Sequence, residues 1–200
     1  MSKLQDIREL AQEHATLVSS SPRDWMGYMD TAARLYRYPF TDQLLIHAQH
    51  PQATACASLE LWNEKMFRWV NRGARGIALL DENGHNTRLR YVFDISDTHM
   101  VAGGRSPYLW QMQEHQQEEI LTHLAEAYGL EEKDTGTLSD ALMAVAREMV
   151  ADSLEEYLDG LEYAAEGTYL EDLDEVTNRS DFRQLATDSV YYMQIGRAHV

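Results

Sequence analysis

The chain has 200 residues, of which 44% are hydrophobic and 25% are charged, a composition typical of a soluble globular protein with one or two domains. Its single cysteine, Cys56, excludes an intrachain disulfide and favours a reducing compartment. The longest apolar runs fall far short of the roughly 20 residues that a membrane helix needs. We therefore expect a cytoplasmic protein that does not enter a membrane.

The negative charge is confined to the second half. The formal net charge is −16, yet the first 105 residues carry 12 basic and 12 acidic side chains, against 5 basic and 21 acidic in the remainder. At physiological salt, charges interact strongly only within about 8 Å. Clustered arginines in the neutral half can therefore bind phosphate despite the overall acidity.

Three helices are predicted in the first 50 residues. Apolar residues recur at helical spacing over 4–18. A second helix, over 22–36, begins after Ser21, which is suited to cap it, with proline at the first turn. Thr41 is predicted to cap a third helix over 42–49, and the small apolar residues 53–57 are predicted to form a buried link.

The central stretch, residues 59–98, carries most of the information about function. Leu59, Trp62 and Met66 have the spacing of one helix face, and the core is the favoured place for Trp62. Residues 68–76 follow as a basic, glycine-rich link. The helix and the link lead into a region with the pattern of a β-hairpin.

Two β-like runs form this predicted hairpin, over 77–80 and 89–95. The turn between them contains Asn83-Gly84, and both residues tolerate the positive φ that a tight hairpin turn requires. The predicted fold class is therefore α+β, mainly helical, with a small antiparallel hairpin or sheet around residues 76–96.

The second half is predicted to be helical and acidic. Glycines and a proline at 103–107 mark a boundary, so we assign one domain to 1–105 and an acidic helical extension to 106–193. Helices are expected over 109–128, ended by Gly129, over 140–165, with a possible break at Gly160, and from about 180 to 193.

The last seven residues, 194–200, depart from the helical pattern. They resemble the translation of a sequencing-library adapter up to its in-frame stop. We therefore expect a non-native tail on a truncated fragment whose natural chain continues past residue 193.

Several enzyme signatures are missing. No lysine follows a glycine as in a phosphate-binding P-loop, and neither H-E-x-x-H nor C-x-x-C occurs. His47 and His50 lack a third metal ligand nearby, Asp94 and Asp97 suit strand-end turns better than a cation site, and Cys56 suits a buried, inert thiol. We predict no catalysis, no metal and no cofactor in this fragment.

Arginines and aromatic residues of the central stretch point instead to a nucleic acid. Single strands are bound by cationic grooves that follow the phosphates and by aromatic rings that stack on bases. Arg68, Arg72 and Arg75 recur every three to four residues, beside glycines that let backbone N–H groups approach a phosphate. The candidate DNA-binding residues are Arg37, Tyr38, Arg68, Trp69, Arg72, Gly73, Arg75, Gly76, Arg88 and Arg90. The alternative is that the tryptophans are core and the arginines a solubilising rim.

Four segments add a resemblance to a known family. They are Tyr38-Pro-Phe-Thr-Asp-Gln-Leu-Leu-Ile-His-Ala-Gln-His-Pro, Leu61-Trp-Asn-Glu, Val70-Asn-Arg-Gly-Ala-Arg-Gly-Ile and Tyr91-Val-Phe-Asp-Ile-Ser-Asp-Thr. Together they resemble the ArdC-like N-terminal domain, which binds single-stranded DNA in antirestriction proteins of plasmids. The chain from about 25 to 193 also looks like the leading segment of very large helicase- or methylase-like proteins of integrative conjugative elements.

The resemblance implies single-stranded DNA as the partner and a DNA-binding role for Arg68, Arg72, Gly73, Arg75 and Gly76. Two features of such proteins are missing: the downstream H-E-x-x-H domain of antirestriction proteins and the helicase motifs of the large ones. We expect the front module of a mobile-element DNA-processing protein, with helicase domains following in the natural chain. One alternative is a protein-interaction or scaffolding segment. The other is an accessory domain of an enzyme whose active site lies downstream.

Overall fold

The computed structural model describes residues 2–81, 86–108 and 112–198. The chain divides into two compact units, Met1–Trp110 and Gln111–Val200, whereas the sequence places the boundary after residue 105. It is mainly helical with small antiparallel sheets, which confirms the predicted fold class.

The three helices predicted in the first unit are present, as α1 (Lys3–Val18), α2 (Pro22–Arg34) and α3 (Phe40–Gln49). Ser21 caps α2 as expected, because its hydroxyl accepts a hydrogen bond from the backbone N–H of Asp24 at 3.2 Å. The predicted cap at Thr41 is wrong. Pro39 precedes α3 with an extended backbone (φ −59°, ψ 159°), so the helix starts directly after it and without a side-chain cap.

Among the described residues, five strands form two antiparallel sheets: β1 (Cys56–Ala57), β2 (Arg68–Val70), β3 (Ile77–Asp81), β4 (Arg88–Asp94) and β5 (Thr98–Met100). The order is β1-β4-β3 in the larger sheet, and β2 pairs with β5 in the smaller one. The predicted hairpin strands are confirmed as β3 and β4, with Leu80 opposite Leu89. Their predicted turn at Asn83-Gly84 lies outside the described residues.

Two segments predicted as links contain strands. The small apolar run 53–57 includes β1, and the basic link 68–76 begins with β2. These strands are 2 and 3 residues long, which is too short for an alternating pattern to distinguish them from loop.

The helical turn before β2 is π-helical over Leu61–Lys65. Trp62 is 2% exposed, and its indole N–H donates to the carbonyl of Phe93 at 2.8 Å, so the predicted core position is confirmed. Leu59 is 46% exposed and does not share that buried face. A π-helix has a longer hydrogen-bond repeat than an α-helix, so the three- and four-residue spacing does not keep one face together.

The core of the first unit lies between the helices and the β3–β4 hairpin. Helices α1 and α3 both contact β3. Burial of apolar side chains there supplies the main favourable term in folding. The buried members of this core are Ile7, Leu35, Leu45, Ile46, Ala53, Ile77, Ala78, Leu79 and Val92.

Polar side chains of α3 fix the helix to its neighbours. The side-chain amide of Gln43 donates to the carbonyls of Tyr38 at 2.9 Å and Leu35 at 3.3 Å, and its oxygen accepts from the hydroxyl of Tyr28 at 3.0 Å. The carbonyl of Leu35 also accepts the backbone N–H of Tyr38 at 2.8 Å, so Gln43 adds a second bond there and one bond to the carbonyl of Tyr38. Gln43 therefore holds the connection between α2 and α3 in one conformation.

The two ends of α3 are attached to the larger sheet. Gln49 binds Ala78 of β3 twice, accepting from its N–H and donating to its carbonyl, each at 2.9 Å. At the other end, Asp42 is buried and forms an ion pair with Arg90 of β4. Asp42 and Gln49, two polar residues of the segment that begins at Tyr38, therefore both have structural partners.

Asp94, at the end of β4, joins the segment just before β1 to the 3-10 turn that leads into β5. One carboxylate oxygen accepts from the N–H groups of Thr54 at 2.7 Å and Ala55 at 2.9 Å, and the other accepts from Ser96 at 3.0 Å. The residue is 1% exposed. Burial alone would raise the pKa of this carboxyl, but the backbone N–H donors outweigh it and hold the pKa below its usual value.

A histidine pair lies in the helical part of this unit. The rings of His14 in α1 and His47 in α3 have centroids 5.1 Å apart, and Nδ1 of His47 is 2.8 Å from the hydroxyl of Thr31. Burial lowers the pKa of both imidazoles, and the neighbouring His14 and Arg34 lower the pKa of His47 further, against Asp30. Both rings are therefore harder to protonate in the folded protein than in the unfolded chain.

The second unit consists of three helices with short connections: α4 (Gln117–Tyr128), α5 (Leu138–Ala165) and α6 (Glu175–Ala198). Gly129 ends α4 with φ 62°, as predicted, and Thr137 caps α5 by accepting from the N–H of Asp140 at 3.1 Å. Helix α5 passes through Gly160 without the break that the sequence allowed.

The ends of two helices differ from the prediction. Helix α4 starts at Gln117, after a turn of 3-10 helix over Glu114–Gln116, and not at 109. Helix α6 starts before residue 180 and continues to Ala198, so the expected loss of helix after 193 is wrong. The residues around Gly196 are ordinary helix formers, and one glycine costs only about 1 kcal/mol in a helix.

Helices α5 and α6 pack along each other through small and apolar side chains. Ala141, Val145 and Ala146 of α5 are buried. An exposed ion pair joins Arg179 to Glu155. In the described parts of the chain, no helix is both long enough and apolar enough to cross a membrane.

We expect Asp94→Asn to lower the free energy of unfolding by about 2–3 kcal/mol, because an amide has one acceptor oxygen where the carboxylate uses two. All four tryptophans lie within Met1–Trp110, so tryptophan fluorescence in a urea titration follows this unit alone. The matched control is Asp97→Asn, whose side chain leaves these N–H groups untouched and whose effect should stay below about 0.5 kcal/mol.

The same carboxylate makes a pH prediction. Because its folded pKa is lowered, its contribution is complete above the ordinary value of about 3.9 and is lost as the pH falls below it. Asp94→Asn should therefore reduce the acid destabilisation of the first unit. An unchanged acid transition in that variant would contradict the role assigned to Asp94.

We expect the first unit to lose stability as the pH falls from about 7.5 to about 5, because unfolded histidines take up protons below about 6.5 whereas His14 and His47 resist protonation when folded. His14→Gln should reduce this pH dependence of the fluorescence melting temperature. His115→Gln, an exposed position in the second unit, is the control and should leave it unchanged. Equal pH dependence in His14→Gln and the unmodified chain would contradict the prediction.

Candidate nucleic-acid interface

Most of the exposed candidate residues lie in the smaller sheet and in the turn that follows β2. Together these comprise residues 67–76 and 97–101. We call this feature the Trp69 ribbon. In β2 and β5, Arg68 pairs with Met100, Trp69 with His99 and Val70 with Thr98. Further backbone bonds extend the ladder at both ends, from Asn71 N–H to Asp97 at 2.8 Å and from Val101 N–H to Phe67 at 3.2 Å.

Trp69 lies on the surface of this ribbon. Its side chain is 57% exposed, in contrast to that of Trp62, and its indole N–H has no partner among the described residues. The alternative that Trp69 belongs to the core is therefore wrong. A large aromatic side chain stabilises the fold by about 1.5–3 kcal/mol or more when it is buried. An exposed indole does not make that contribution, so stability does not explain Trp69.

A tight turn at the end of the ribbon presents two arginines. The N–H of Ala74 donates to the carbonyl of Asn71 at 3.0 Å, and Gly73 has φ +89°, a conformation that glycine adopts at no steric cost. Arg72 and Arg75 are exposed, and neither forms an ion pair within the described part of the chain. Both guanidinium groups are therefore free to bind an external anion.

Gly76 has a structural explanation. A Cβ at this position would lie 3.1 Å from the ring of Phe93 and 3.2 Å from Cβ of Tyr91. The glycine therefore lets the chain pass closely over β4. The expected approach of its backbone to a phosphate is not needed to explain it.

Arg68 points into the protein. It is buried, and its Nε donates to the hydroxyl of Thr98 at 2.8 Å, while that hydroxyl donates to the carbonyl of Ile95 at 2.8 Å. Arg68 therefore stabilises the pairing of β2 with β5 and does not reach the surface on which Trp69 lies.

The two arginines of β4 are paired with carboxylates. Arg88 contacts Asp81 at 2.9 Å, an exposed pair of the kind that contributes about 0–1 kcal/mol. Arg90 pairs with Asp42 and attaches α3 to the sheet. Asp81 and Asp42 largely balance these two charges, whereas Arg72 and Arg75 form no ion pair with a described residue.

The predicted cluster before α3 splits into an exposed and a buried part. Arg37 is exposed, with its guanidinium 5.6 Å from the ring centroid of Tyr36 and Nε donating to its hydroxyl at 3.1 Å. The hydroxyl of Tyr38 donates to the carbonyl of Cys56 at 2.8 Å, and burial is the main cause that raises the pKa of Tyr38 to about 12. Arg37 remains a candidate contact, whereas Tyr38 is explained by packing.

Two residues of the ribbon were not predicted from the sequence. Nδ1 of His99 lies 2.7 Å from the side-chain oxygen of Asn71, and both residues are exposed. No sequence pattern predicts this pair, because β5 is 3 residues long and the sequence predicts a link where its partner strand β2 lies. Lys65 and Arg105 are also exposed, and the N–H of Arg105 donates to the carbonyl of Met66 at 2.8 Å, at the opposite end of the ribbon from Arg72.

The remaining reactive groups have structural roles. Burial, followed by the charge of Asp94, raises the pKa of the Cys56 thiol to about 12, which keeps it in the unreactive protonated form. His50 is the residue that ends α3. Within residues 2–81, 86–108 and 112–198, no three histidine, cysteine, aspartate or glutamate side chains are placed to hold a metal ion.

Comparison with known proteins adds no assignment: no family model, no curated protein and no solved structure matches this chain.

Proposed function

We propose that the Trp69 ribbon binds single-stranded DNA, with Arg72 and Arg75 as the phosphate contacts. The observation that carries this proposal is the position of two exposed arginines that form no ion pair with a described residue, a few residues beyond an exposed tryptophan on the same ribbon. The resemblance to the ArdC-like N-terminal domain, carried by residues 70–77 among others, supports the same function. The chain would then be the front module of a cytoplasmic mobile-element protein that processes DNA.

The chemistry favours a single strand. Arginine presents a planar fork of donors that matches two phosphate oxygens, and exposed aromatic rings bind bases only when these are unpaired. In a duplex, the bases are stacked on one another, so a single indole on a small ribbon gains nothing from them. Residues 1–110 carry equal numbers of basic and acidic side chains, so the acidic surplus belongs to a unit other than the one that holds the ribbon.

A protein partner is the second candidate, and one observation favours it. Phe67, Trp69 and Met100 are all about half exposed, and exposed aromatic and methionine side chains are enriched in protein interfaces. Arginines would then form the rim of that interface. The two functions differ in their dependence on salt and on DNA.

We expect the full chain to bind a fluorescently labelled single-stranded oligonucleotide in an anisotropy titration, and to bind the matching duplex more weakly. Each phosphate contact contributes about −0.7 to the slope of log affinity against log salt for a single strand. The double variant Arg72→Gln/Arg75→Gln should therefore weaken binding and reduce the magnitude of the slope by about 1.4.

The matched control is Arg147→Gln/Arg183→Gln. It removes the same charge from exposed positions in the second unit and should leave affinity and slope unchanged. If both double variants reduced affinity equally, the effect would come from overall charge, and the site would not be the ribbon. If the unmodified chain failed to bind any oligonucleotide even at low salt, the protein-partner function would replace this one.

A further inference from the structure

We propose that Trp69, Asn71 and His99 form a subsite for one unpaired base, in which the base stacks on the indole and its edge meets the Asn71–His99 pair. This inference rests on the proposed DNA binding and deepens it, because phosphate contacts alone would not require these three residues. It adds Asn71 and His99 to the residues expected from the sequence.

Strand pairing places the three side chains together. Trp69 and His99 are directly opposite in the antiparallel ladder, so both project from the same face of the ribbon. Asn71 is two residues beyond Trp69 and lies on that face as well, as its 2.7 Å contact with His99 requires. A flat ring and a polar pair are therefore adjacent on one exposed surface.

The polar pair has defined hydrogen-bonding capacity. The side-chain oxygen of Asn71 is an acceptor, so Nδ1 of His99 carries the proton in this contact. In the neutral imidazole, Nε2 is then an acceptor, and the amide nitrogen of Asn71 offers donors. Neither group has another hydrogen-bond partner among the described residues. A donor and an acceptor side by side match the edge of a nucleobase.

A structural role does not explain this arrangement. Trp69, Asn71 and His99 are all exposed, and the pairing of β2 with β5 is stabilised from the other face by the buried Arg68 and its bond to Thr98. A hydrogen bond between two exposed side chains adds little to stability, because water offers the same bonds in the unfolded chain.

The charges around the subsite fit a strand that runs along the ribbon. Arg72 lies three residues beyond Trp69, in the tight turn that follows β2. Lys65 and Arg105 are exposed at the opposite end. A base on the indole would thus have cationic side chains available to the phosphates on both of its sides.

The test compares oligothymidylate with an abasic oligonucleotide of the same length and phosphate charge, using the full chain and anisotropy. The unmodified chain should bind oligothymidylate about 10-fold more tightly than the abasic strand. Trp69→Ala should lose about 10-fold on oligothymidylate and nothing on the abasic strand, whereas Trp69→Phe should retain most of the affinity. Asn71→Ala should lose about 3-fold on oligothymidylate only.

Outcomes that overturn the subsite differ from those that overturn DNA binding. Equal affinity of the unmodified chain for the two strands would remove the subsite and leave salt-dependent phosphate binding in place. A loss in Trp69→Ala that is equal on both strands, with a lowered fluorescence melting temperature, would make Trp69 structural and would also overturn it. Failure to bind either strand would overturn both proposals.

Discussion

The buried carboxylate of Asp94 is the interaction on which the first unit depends. Its two oxygens accept N–H groups from chain segments some 40 residues apart, before β1 and after β4. Burying a carboxylate without such donors would cost free energy. The segments that contain Thr54, Ala55 and Ser96 must therefore pack around Asp94. The turn that Asp94 begins leads directly into β5, and β5 positions β2. The buried Asp94 therefore determines the position of the exposed Trp69 ribbon.

Arginine has three different roles in this unit, and the surroundings of each residue decide which. Arg68 is surrounded by the protein and binds a hydroxyl group. Arg34 and Arg90 fasten helices to neighbouring segments, through the carbonyl of Ala53 at 2.9 Å and through Asp42 respectively. Arg72 and Arg75 follow the end of β2, where the turn leaves them in solvent. Of these five arginines, Arg72 and Arg75 are the two that neither hydrogen-bond nor ion-pair with another described residue, so their charge is available to a ligand.

Local chemistry identified several element boundaries from the sequence. Ser21 with Pro22 identified the start of α2, Gly129 the end of α4, and two β-like runs the strands β3 and β4. It failed where a distant partner decides. Arg68 has the spacing of a basic cluster, yet its hydroxyl partner comes from Thr98, 30 residues later. Gly76 has the setting of a phosphate loop, yet the ring of Phe93 explains it. The pair formed by Asn71 and His99 exists only through the pairing of two very short strands.

Trp62 and Trp69 lie seven residues apart in the sequence and occupy opposite environments. Trp62 is enclosed and donates to Phe93, so exchanging it would disturb the interior of the unit. Trp69 stands outside that interior. Mutation at position 69 should therefore change the chemistry of this surface and leave the scaffold beneath it intact.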